Sequence, residues 1–84
     1  MCGVRSNGTY RLVRLNDDRI RVQNFMVGSV KVVDSGAGAP LRCFDDLIEG
    51  MKIELYVKGD RFPITEIVES INDSKTGACL RQPA

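Results

Sequence analysis

Hydrophobic and polar positions alternate most cleanly in residues 51–57, where Met51, Ile53, Leu55 and Val57 take turns with Lys52, Glu54 and Tyr56. A period of two is the pattern of a strand with one face in a core and the other toward water. Upstream, residues 9–15 and 19–25 flank Asn16-Asp17-Asp18, residue types that tolerate the left-handed backbone of tight hairpins. With Asp17 and Asp18 as a two-residue loop, Leu15 faces Ile20, Val13 faces Val22 and Tyr10 faces Phe25. This register gathers like with like and is preferred to a three-residue loop, which would set Arg14 opposite Ile20.

Residues 28–34 are rich in Val and predict a third strand, which runs into Asp34-Ser35-Gly36-Ala37-Gly38-Ala39-Pro40, a stretch whose glycines and proline forbid regular structure. Residues 41–44 suit a short edge strand or a bend, and 45–50 one helical turn or a tight corner. In residues 62–71, Ile64, Ile67, Val68 and Ile71 fall at helical spacing, while the wealth of β-branched residues favours a strand. The reading leans to strand and keeps a short C-terminal helix as the alternative; residues 78–81 add a last short strand. Five to six short strands with turns of Gly, Asp and Asn predict an all-β fold, a small antiparallel barrel whose closure removes exposed edges. One domain over residues 1–84 is expected, with flexible segments at 1–8 and 82–84.

Composition narrows the chemistry. A net charge of +1 is too balanced for a nucleic-acid binder, yet residues 1–42 hold seven Lys/Arg against three Asp/Glu, and 43–84 five against eight. The chain has no histidine, which removes Ser-His and Cys-His pairs and the commonest general base near neutral pH. Three widely spaced cysteines, Cys2, Cys43 and Cys79, match neither a zinc motif nor a disulfide framework, and suggest a reducing, cytoplasmic setting without cofactor or metal. Met1-Cys2-Gly3 resembles the start of amidotransferases with an N-terminal cysteine nucleophile, but those enzymes need a far larger scaffold. Asp17/Asp18 and Asp45/Asp46 are neighbours in turns rather than facing acid/base pairs. No run approaches the ~18 apolar residues of a membrane span, so no membrane role is expected.

In the preferred register Arg14 and Arg21 face each other, an unneutralised pair whose planar guanidinium forks suit a phosphate; Arg11 and Arg19 lie on the other face or at the loop edge. The run 32–41, followed by Gly50 and the alternating strand behind it, resembles the middle of a PilZ domain, with Arg11 and Arg14 where that family carries its Arg-x-x-x-Arg segment. Arg11-Leu12-Val13-Arg14 is one residue shorter than that segment, and the Ser and final Gly of Asp34-Ser35-Gly36-Ala37-Gly38 each come one place early. The resemblance implies a six-stranded barrel that binds cyclic di-GMP, with Arg11 and Arg14 on phosphate and guanine, and Asp34, Ser35 and Gly38 on the base. The sequence thus predicts a non-catalytic module for a cyclic dinucleotide or another phosphate-bearing ligand, through Arg11, Arg14, Arg21, Asp34, Ser35 and Gly38. The alternative is a structural protein that forms homo-oligomers or docks on a larger protein assembly.

Overall fold

The computed structural model describes residues 10–23 and 25–83. Six strands, β1 (Arg11–Arg14), β2 (Ile20–Val22), β3 (Val30–Asp34), β4 (Lys52–Val57), β5 (Ile64–Ile71) and β6 (Gly77–Arg81), form one antiparallel sheet in the order β2-β1-β6-β5-β4-β3. The sheet curls into a nearly closed barrel, as the all-β reading expects. Because β6 inserts between β1 and β5, the last segment of the chain closes the sheet, and the gap is left between β2 and β3.

Alternation fills the interior. Leu12, Val22, Ile53, Leu55, Val68 and Leu80 are all buried, joined by Phe44 and Leu47 from the β3–β4 connection. β5 is a strand throughout its length. Its register shifts between Val68 and Ser70, so Val68 pairs with Leu80 whereas Ile71 pairs with Ala78. The extra residue turns the inward phase from even to odd positions, which is why Ile64, Val68 and Ile71 mimic a helical period.

The first hairpin departs from expectation. Leu12 pairs with Val22, Val13 with Arg21 and Arg14 with Ile20, so the three-residue loop wins and the Arg14/Arg21 pair does not form. The cause is local: Asp18 adopts φ 68°, its N–H donates to the Leu15 carbonyl at 2.9 Å, and the Leu15 N–H donates to Arg19 at 2.9 Å. A type I turn closed by one left-handed residue matches the strand twist, and Asp is among the few non-glycine residues that accept it. The register then puts Leu12 and Val22 inside together.

The expectation for the cysteines is corrected as well. Cys79, 7% exposed on β6, is disulfide-bonded, while Cys43 is a free thiol. Spacing along a sequence does not bound distance in a barrel whose terminal segments meet, and with this bond the cysteine argument for a reducing compartment falls. Cys2 and the segment 1–8 lie outside the described residues.

Candidate functional site

Arg14 is at the centre of a charge cluster that plugs one end of the barrel. The inward phase of β1 aims its side chain along the interior, and it reaches that end beside a single 3-10 turn, Phe44–Asp46. Its Nε donates to Asp18 Oδ1 at 2.8 Å, its Nη1 and Nη2 donate to the two oxygens of Asp45 at 2.9 and 3.1 Å, and Nη1 also reaches the Lys75 carbonyl at 3.3 Å. The guanidinium lies 5.9 Å from the centre of the Phe44 ring. Its hydrogen bonds to Asp18 and then Asp45 raise its pKa above the usual arginine value. Every donor direction of the fork is thus occupied from within the chain, and Arg14 is structural. Arg14→Ala is expected to lower the melting temperature and Asp45→Asn to reproduce much of that loss; a melt identical to wild type for both would show that the cluster carries no stability.

The other sequence-derived candidates are dispersed. Arg11 and Arg21 point outward and are exposed, opposite Cys79 and Val13 respectively. Arg11 borders a groove of about 420 Å³ whose lining also includes Ser70, Asp73 and Asn72, the last already engaged with Thr76 and Gly77. In the loop after β3, Asp34 Oδ1 accepts the Gly36 N–H at 2.9 Å and the Ala37 N–H at 3.4 Å, and its carbonyl takes the Gly38 N–H at 2.7 Å. Asp34 therefore builds its own turn, with Gly38 supplying φ +70°, while the Ser35 N–H donates to the Lys52 carbonyl at 3.0 Å. No described contact joins this loop to an arginine.

A different set of residues converges on the seam between β2 and β3. One half of that seam is laced by the segment after the loop: Pro40 bridges to Val33, Cys43 to Arg19, and the Leu41 N–H donates to the Val32 carbonyl at 2.7 Å. The other half opens into a groove of about 340 Å³. Ile20, Val30, Val32, Leu41 and Pro40 give it an apolar floor, and Arg19, Lys31 and Arg42 line it with charge. Arg19 is held by Asp17, 2.6 Å away. Lys31 and Arg42 are exposed and have no carboxylate within ion-pair distance among the described residues. Sequence reasoning missed both. Lys31 stands alone in a valine strand and Arg42 follows a loop, so only closure of the barrel sets them on one rim.

A second feature invisible in the sequence lies inside. Glu66, opposite Ile53 on β5, is 1% exposed, and its Oε1 has no hydrogen-bond partner. Burial pushes its pKa up, opposed in part by a hydrogen bond from the Tyr10 backbone.

No family model matches the chain, and neither a curated protein nor a solved structure is significantly similar to it. The fold defines a small antiparallel barrel with an open, basic-rimmed seam.

Proposed function

We propose that this protein is a non-catalytic binding module whose seam groove takes a phosphate-bearing ligand with an apolar or aromatic body, such as a nucleotide or cyclic dinucleotide. The observation that carries the reading is the pair Lys31 and Arg42, two exposed cations with no carboxylate at ion-pair distance among the described residues, set around an apolar floor. An anion on that rim gains charge-assisted hydrogen bonds while its body covers the half-buried apolar floor. The charged side chains among the described lining residues are Arg19, Lys31 and Arg42, a set suited to holding an anion. This assigns the phosphate-binding role suggested by the sequence to Lys31 and Arg42, in place of Arg14, whose donors are spent on the fold, and Asp34, whose Oδ1 and carbonyl build its own turn.

The test is a thermal-shift screen with cyclic dinucleotides, mononucleotides and inorganic phosphate, followed by titration of whichever binds. Lys31→Ala and Arg42→Ala are each expected to weaken the ligand about tenfold, the scale of one partly solvated charged contact, with unchanged melting temperature in its absence. Arg14→Ala should show the reverse, a lower melting temperature with affinity retained. A flat screen, or affinity that survives loss of both rim cations, would overturn the proposal.

A further inference from the structure

The two ends of the barrel differ in chemistry. One end collects Asp34, at the end of β3, and Asp46, Glu49 and Asp73 from its loops, together with Asp18 and Asp45, which Arg14 engages. The other is formed by residues 25–29, before β3, and 58–63, between β4 and β5; the Lys58 N–H ties these loops together by donating to the Ser29 carbonyl at 2.8 Å. Here three large apolar residues face water, Met26 at 80% exposure, Phe62 at 78% and Val27 at 49%, against Ile48 at the acidic end. Gly28 at φ +85° and Gly59 at φ +95° make the turns that project them. Arg21 borders the same shallow depression as Phe25, Met26 and Val27, while Lys58 and Arg61 flank the Phe62 loop. Asp60 is the sole carboxylate in these two loops.

We propose that this end of the barrel is an interfacial surface for anionic lipid bilayers, with Met26, Val27 and Phe62 entering the headgroup region and Arg21, Lys58 and Arg61 meeting lipid phosphate. The apolar side chains stand out from loop tips, so they call for a partner that yields around them, which a bilayer interface does. Apolar insertion and cation attraction are each weak alone and act together at a charged interface. The acidic loops at the far end would be repelled by the same surface, which leaves one favourable orientation. No described helix is long and apolar enough to cross a membrane, and resting on one needs no such helix.

The chain has no tryptophan, so Phe62→Trp gives a single reporter at the predicted depth. Its emission should shift to the blue on adding vesicles of mixed phosphatidylcholine and phosphatidylglycerol, but not phosphatidylcholine alone. Cosedimentation of the otherwise native chain with the mixed vesicles should fall roughly tenfold or more in Met26→Glu and in the double variant Lys58→Glu/Arg61→Glu. Both should melt as wild type does, since the altered side chains are exposed. Val27 lines both this surface and the seam groove, so the variants are placed at Met26, Lys58 and Arg61, which lie outside the groove lining. The proposal is overturned by an unshifted reporter, by equal binding to neutral vesicles, or by a sedimentation mass showing that Met26→Glu dissolves a wild-type oligomer, which would make a second copy the occupant.

Discussion

Replacing Phe44 by alanine is expected to destabilise the fold by about 3 to 5 kcal/mol, the range for deleting a large buried aromatic ring. Phe44 is 2% exposed and sits on a single 3-10 turn, where it covers one end of the core beneath the Arg14 guanidinium. Ion pairs and backbone bonds hold the turn from several sides, including the Phe44 N–H to the Asp18 carbonyl at 2.8 Å, so it cannot sink to fill the cavity. A domain of this size has a total stability of roughly 4 to 13 kcal/mol, so the variant loses a large share of it and is partly unfolded at room temperature if the wild type sits at the low end of that range. Ile48→Ala on the same connection, where the side chain is 66% exposed, should change stability by less than about 0.5 kcal/mol. Urea titration compares the two, and equal midpoints would show that Phe44 is not part of the core.

Removing the charge of Glu66 should do the opposite. The buried carboxyl keeps one hydrogen bond, from the Tyr10 backbone, and leaves Oε1 unpaired beside apolar neighbours. Glu66→Gln retains an acceptor for the Tyr10 N–H and removes the buried charge, while one amide atom still stands unpaired where Oε1 was; it is expected to gain stability at neutral pH, where the wild-type carboxyl bears the cost of burying charge. The sign of the pH dependence follows from the raised pKa. Between the ordinary glutamate value near 4.5 and its higher value in the fold, the native state holds a proton that the unfolded chain has lost. The stabilisation is therefore fully present below about 4.5 and is lost as pH rises through the folded value. The wild type should lose stability relative to Glu66→Gln on going from mildly acid to neutral pH, with the two curves converging at the acid end. Parallel curves in a pH series of urea melts would mean that Glu66 finds a full set of partners in solution.

What the sequence determined by itself is the architecture and most of its facing. The alternation of residues 51–57 and the valines before Asp34 specify strands with a single buried face, because a period of two leaves no other way to bury half the side chains. Turn residues at Gly28, Gly38 and Gly59 mark where the chain reverses, since each takes a positive φ that most residues resist. The tertiary structure decided the rest. Cross-strand pairing favoured the two-residue loop for the first hairpin, and the left-handed Asp18, with Arg14 drawn inward by Asp45 from 31 residues away, chose the other register. The bulge in β5 gave a strand the spacing of a helix, and no local pattern could reveal it before β6 was in place. The candidate site followed the same logic: the seam that sets Lys31 and Arg42 around one apolar floor exists only because β6 closes the sheet between β1 and β5, and juxtaposition across a barrel is a property of its closure, which neighbours in sequence do not encode.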